Sequence, residues 1–187
     1  MGKFTPTYIK TSVYDIEENF FGNEKIRCVL LDIDNTLVAD NHPDPDEKVF
    51  RFIEMLKKNE IKVCLISNNK KERVDSFNVN LKLKNVYRAH KPFVRKMLCA
   101  IDEMSCSREE TLFIGDQLLT DILAGNRAGI RTMLVNPINI SKENTFFKLK
   151  RFIEKRILMR EFEWNLTLDD LNITGKFIKY LNIEKKQ

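Results

Sequence analysis

The chain has 187 residues, a formal net charge of +5, 43% hydrophobic and 32% charged residues. That balance supports a folded core and excludes a disordered or collagen-like chain. No apolar stretch approaches the roughly 20 residues of a spanning helix, and the opening residues Met1 to Pro6 lack the apolar run of a signal peptide, so the cytoplasm is the expected location. Cys28, Cys64, Cys99 and Cys106 show neither CxxC nor zinc-like spacing, and the first two lie in apolar runs where a thiol acts as a small hydrophobe.

The first strand is predicted near 27–33, an apolar run that ends in Asp32-Ile33-Asp34-Asn35-Thr36. Pro43, Asp44, Pro45 and Asp46 then open a helix whose Val49, Phe52, Ile53 and Leu56 recur at core spacing. A strand at 62–66 runs into Ser67-Asn68-Asn69, and a helix follows from Lys71 to Leu81. The strand at 85–89 leads to Lys91-Pro92, after which Val94, Met97, Leu98 and Ile101 mark a third helix. The strand at 111–115 reaches Asp116 and Asp121; a helix starting after Gln117 stops at Gly129, with Gly125 for packing and Gly129 as its cap, before a strand at 131–135.

Strands alternating with helices predict an α/β fold, a doubly wound (Rossmann-like) parallel sheet flanked by helices. A single domain over 1–187 is expected, with a core at about 26–140 and a basic helical extension at about 141–187. The intervals from Asp34 to Ser67 and from Ser67 to Lys91 each hold one helix and one strand, too little for a large cap domain.

Strand periodicity puts Asp32 and Asp34 on one face where the first strand ends, and two adjacent anions need a cation or a shared proton. Mg2+, a hard ion with oxygen ligands, meets that need. Ser67, Lys91 and the pair Asp116 and Asp121 each follow a further strand, and open parallel sheets bind ligands beyond the carboxyl ends of their strands. Singly, these residues also read as turn formers, a helix cap and a solvated lysine. Together they form a constellation of carboxylates, a hydroxyl and an ammonium.

That ordered set, DxDxT, Ser, Lys and GDxxxD, resembles the haloacid dehalogenase (HAD) superfamily of phosphohydrolases over roughly residues 26–136. With Pro6 to Ile9, Tyr14 to Ile16, Ser67 to Asn69 and Lys91-Pro92, it most resembles the bacterial YqeG family of subfamily IIIA. The resemblance implies that Asp32 is a nucleophile forming an aspartyl-phosphate and Asp34 a general acid and base. It implies that Asp32, the Asp34 carbonyl and Asp116 hold Mg2+, and that Asn35, Thr36, Ser67, Asn68 and Lys91 bind the phosphorylated substrate. Asp121 would orient Lys91 or a metal-bound water. A capless chain resembles members whose open sites accept bulky substrates, or small ones when a partner provides the lid, and the relatives that this family resembles dephosphorylate the lipid phosphatidylglycerophosphate. Nucleotides, sugar phosphates, phosphoproteins and an acceptor other than water are the alternatives.

Between Lys142 and Arg160 seven basic residues stand against two acidic ones, an excess equal to the whole chain's charge of +5. Phe146, Leu149, Ile153 and Ile157 recur there at helical spacing. Such a helix can dock on the sheet with its lysines in water, lie peripherally on an anionic membrane, or contact nucleic acid. The last reading gives the alternative function, a nucleic-acid- or ribosome-binding module on the same fold.

Overall fold

Runs of branched and apolar residues form a parallel sheet, because buried strands must be apolar on both faces. In the computed structural model, which describes residues 2–40, 42–139, 150, 152–154 and 156–157, the strands are β1 (Tyr8–Lys10), β2 (Cys28–Leu31), β3 (Lys62–Ile66), β4 (Lys84–Val86), β5 (Thr111–Gly115) and β6 (Arg131–Val135). Their order is β1-β6-β5-β2-β3-β4, and every pairing is parallel. The helices are α1 (Glu18–Asn23), α2 (Glu47–Lys58), α3 (Lys71–Asn78), α4 (Arg95–Glu103) and α5 (Leu123–Ala128).

Alternate residues of each strand feed opposite cores. Val29, Leu31, Val63, Leu65, Leu112 and Ile114 pack with Phe21, Val49, Phe52, Ile53, Leu56, Val74 and Phe77 on one face. Cys28, Leu30, Cys64, Ile66 and Phe113 pack with Met97, Ala100, Ile101, Ala124 and Ala128 on the other. The sheet is therefore doubly wound, as the sequence predicts, and each buried Leu, Ile or Phe contributes on the order of 1.5–3 kcal/mol. Both inner thiols are core residues; desolvation pushes Cys64 up to about 12 and Cys28 higher still.

α2 starts where Asp46 accepts a hydrogen bond from the Val49 N–H at 3.0 Å, and Lys57 and Lys58 complement the dipole of its last turn. Between β2 and β3, and between β3 and β4, the described chain holds one helix each and no inserted domain. The strand predicted at 85–89 is shorter, and the helix predicted to reach Leu81 ends at Asn78, where the Asn78 side chain bonds the main chain of Leu83 at both ends. A sixth strand, β1, lies on the edge beside β6; at three half-buried residues it is too short for a periodic signal. No helix among the described residues is long and apolar enough to cross a membrane. The expectations for 164–187 and for most of 142–160 lie outside the described residues.

The segment after β5 begins as a π-helical turn, Leu118–Ile122, before α5, which ends at Gly129 in the left-handed region. Gly125 lets α5 lie on β6: a Cβ there would approach Thr132 Cγ2 to 2.2 Å. Gly125→Ala is expected to destabilise the protein by about 1–3 kcal/mol through overpacking. Urea unfolding measures this, and an unchanged midpoint would show that the helix has room to move.

Candidate active site

Chain order runs from β2 outward to β3 and β4, then returns to β5 and β6 on the other side, so the sheet reverses between β2 and β5. A crevice opens at such a switch point. Asp32 follows β2 and Asp116 follows β5; the Asp32 N–H donates to the Ile114 carbonyl at 3.0 Å, which locks the two strand ends in register.

Lys91 is the centre of the site. Its Nζ lies 2.5 Å from Asp32 Oδ1 and 2.8 Å from Asp121 Oδ1, and it donates to the Ile66 carbonyl at 3.0 Å. The ammonium is nearly sealed from water, at 3% side-chain exposure. Asn68 fixes its main chain at two points, donating to the Lys91 carbonyl at 3.2 Å and accepting from the Lys91 N–H at 2.7 Å. The Asn68 amide, expected to meet substrate, is thus engaged in placing the lysine.

Asp32, Asp116 and Asp121 are all buried, with one carboxylate oxygen of each within 4.8 Å of the others. The Thr36 hydroxyl bridges Asp32 Oδ2 at 3.2 Å and Asp116 Oδ1 at 3.3 Å, although it has one proton to donate. The donor set is wholly oxygen and its excess charge negative, which suits a hard divalent cation. Burial pushes the Asp32 carboxyl well above the ordinary aspartate range; Lys91 opposes this, while Asp121, Asp116 and Asp34 reinforce it. Burial pulls Lys91 down, but Asp121 and Asp32 outweigh it and hold the ammonium above the ordinary lysine range.

Asp34 lines the same cavity as Asp32 and its charge acts on that carboxyl, but it stands outside the buried cluster. Strand geometry ends at Leu31, so the two-residue period does not bring Asp34 into the buried cluster; its third carboxylate is Asp121. Asp34 is half-buried at the cavity wall, where Oδ1 accepts from Arg73 at 2.9 Å and Oδ2 from Asn69 at 2.6 Å. The Arg73 guanidinium also binds the carbonyls of His42 and Pro43 and stacks over Phe77. Nothing in the sequence marks Arg73, a lone arginine inside a short helix.

Asn35 makes the turn with φ of 63°, a conformation asparagine tolerates, and its main-chain and side-chain oxygens accept from Ile138 and Asn139. Ser67 is buried, three residues before the Lys70 cap of α3, so it is not that helix's N-cap. Asp32, Asp34, Asn35, Ser67, Asn68 and Lys91 all line one cavity of about 790 Å³. Gln117, Leu119, Thr120, Lys150 and Ile153 also line it, and the motifs in the sequence point to none of these five. The arrangement offers a buried carboxylate beside an ammonium, a hydroxyl and a second carboxylate nearer water.

The family model described as haloacid dehalogenase-like hydrolase matches residues 4–135. A Bacillus subtilis (strain 168) protein named "Probable phosphatase YqeG" is 34% identical over 155 residues, which cover 83% of this chain and 90% of that protein. The Arabidopsis thaliana protein named "Phosphatidylglycerophosphate phosphatase 1, chloroplastic/mitochondrial" is 27% identical over 78 residues, 42% of this chain and 22% of its own length. Among solved structures, the cobalt-bound deoxy-D-mannose-octulosonate 8-phosphate phosphatase of Haemophilus influenzae is similar in fold, with a TM-score of 0.50 at 16% identity, covering 73% of this chain and 89% of that one.

Removing the ammonium leaves Asp32 and Asp121 without their paired cation, in a cluster with Asp116. In EDTA, Lys91→Met should cost about 3–5 kcal/mol of stability, and adding Asp121→Asn should recover part of it. A carboxyl raised above its unfolded value binds more protons in the folded state, so its stability contribution is retained below the unfolded range and lost as pH rises through the folded value. The deficit of Lys91→Met should therefore shrink on acidification towards the carboxylate range. Urea unfolding between neutral and mildly acidic pH tests this, and a deficit that grows as pH falls would contradict the charge account.

Proposed function

The chain belongs to the haloacid dehalogenase-like hydrolase family, and on that footing we propose that it is a Mg2+-dependent phosphomonoesterase working through an aspartyl-phosphate on Asp32. The observation that carries this reading is the Lys91 ammonium held between Asp32 and Asp121 at the floor of an open cavity. An anionic nucleophile attacking an anionic phosphate requires such a fixed positive charge.

A carboxylate oxygen of Asp32 attacks phosphorus; the new O–P bond forms as the ester O–P bond breaks, and Asp34 gives its proton to the departing alkoxide. Asp34 then takes a proton from water, which attacks the phosphorus, freeing inorganic phosphate and restoring the Asp32 carboxylate. Arg73 and Asn69 fix the Asp34 carboxyl by donating to its two oxygens. Lys91 and Ser67 hold phosphoryl oxygens, with Asn35, Thr36 and Asn68 shaping the loops around them. Asp121 holds Lys91 in place. Asp32, the Asp34 main-chain carbonyl and Asp116 would hold Mg2+, which when bound offsets the negative charge shared by nucleophile and substrate.

The substrate proposed is a phospholipid head group such as phosphatidylglycerophosphate, reached from the cytoplasm with the basic residues of 142–160 against an anionic membrane. The partial match to the Arabidopsis phosphatidylglycerophosphate phosphatase supports this reading. So does a cavity that no inserted domain covers among the described residues.

Phosphate release from an aryl phosphate and from phosphatidylglycerophosphate vesicles should require Mg2+ and fall by more than roughly a thousandfold in Asp32→Asn. Thermal unfolding gives an independent readout: Mg2+ should raise the melting temperature of the wild type and leave that of Asp116→Asn unmoved. Turnover in EDTA, or an active Asp32→Asn, would overturn the mechanism.

A further inference from the structure

Five large apolar side chains are exposed among the described residues: Val79, Phe93, Ile138, Phe152 and Ile153. Singly, an exposed apolar residue needs no explanation, but a group around a functional opening does. One of the five lines the cavity, and three more are linked to its lining residues through the chain or a hydrogen bond. Ile153 lines it and Phe152 precedes Ile153 in the chain. Phe93 follows the lining residue Pro92 and is 72% exposed, and the Ile138 N–H donates to the carbonyl of the lining residue Asn35.

The described part of the segment 150–157 buries its acid and exposes two large apolar side chains. Its acid faces inward: Glu154 is 4% exposed and accepts from the Leu119 N–H at 3.0 Å, while Ile157 packs near Leu118, Ile122 and Leu134. Outward it offers Phe152, Ile153 and Arg156, with the Arg156 guanidinium 4.9 Å from the centre of the Phe152 ring. Lys150 lines the same cavity, bound to Gln117, and Arg95 is exposed two residues beyond Phe93. Of the three acids in the lining, Asp32 is buried, Asp34 half-buried and Asp40 exposed.

We propose that Phe93, Ile138, Phe152 and Ile153, with Lys150 and Arg156, form a face that docks on an anionic lipid bilayer, so that the cavity opens onto the head-group layer. Apolar side chains enter the boundary between head groups and acyl chains, and cations among them select anionic lipid. The inward turn of Glu154 removes the charge that would repel such a surface. Resting on the reading of a lipid-borne phosphomonoester, this face adds the route of access: the ester reaches Asp32 without its lipid leaving the membrane.

The test uses the full chain and vesicles without any phosphomonoester, so that binding is read apart from catalysis. Wild-type protein should sediment with phosphatidylglycerol–phosphatidylcholine vesicles, stay in solution with phosphatidylcholine alone, and be released by salt. Phe93→Ser with Phe152→Ser should weaken this binding by roughly tenfold or more, while turnover of a soluble aryl phosphate stays at the wild-type level. Both side chains are exposed, so the double variant should fold. Binding without any turnover would sink the phosphatase reading and leave the face standing. Wild-type protein that ignores anionic vesicles, a double variant that binds as the wild type does, or a dimer in solution that the double substitution breaks would overturn the proposal.

Discussion

Three carboxylates have oxygens within 4.8 Å of one another and two of them, Asp32 and Asp121, pair with one buried ammonium; the geometry of the site follows from keeping that charge in place. At such separations two like charges repel by roughly 3–4 kcal/mol even at an effective dielectric near 20. Lys91 therefore has to be held from several sides, and it is: by Asn68 through its main chain, by the Ile66 carbonyl, and by Asp121. Asp121 is in turn held by the Gln117 N–H at 3.0 Å, and Gly115 leaves the space it needs, since a Cβ there would come within 2.5 Å of the Asp121 side chain. The π-helical turn after β5 thus carries the residue that steadies the lysine.

The sheet supplies the rest of the placement. Because β2 lies between β5 and β3, residues after β2, β3 and β5 reach a single crevice although they are far apart in the chain. The two cores on opposite faces keep those strand ends rigid. The catalytic groups stand on short loops, and rigidity beneath them replaces rigidity within them.

Much of this was legible because polar clusters after apolar runs mark strand ends. Asp32, Ser67, Lys91 and Asp116 belong to that class, and so do the helices with core spacing such as α2. What was hidden depends on contacts between distant residues. Arg73 meets Asp34 across 39 positions, Asn68 meets Lys91 across 23, and Glu154 meets Leu119 across 35, none with a local pattern. Asp34 stands outside the buried cluster, where the strand has already ended at Leu31, yet it lines the same cavity as Asp32. β1 was hidden because three edge residues need the neighbouring β6 to become a strand.

Charge placement, topology and surface are consistent with the proposed chemistry, in which the buried Asp32 carboxylate would become a covalent carrier of phosphate. The most direct test of that claim is an acid quench of the full-length protein during turnover of an aryl phosphate with Mg2+, followed by mass spectrometry of its peptides. The account predicts a phosphoryl group on Asp32 alone among the site's carboxylates, absent in Asp32→Asn. Steady turnover with no adduct, or an adduct on Asp34 or Asp116, would contradict it.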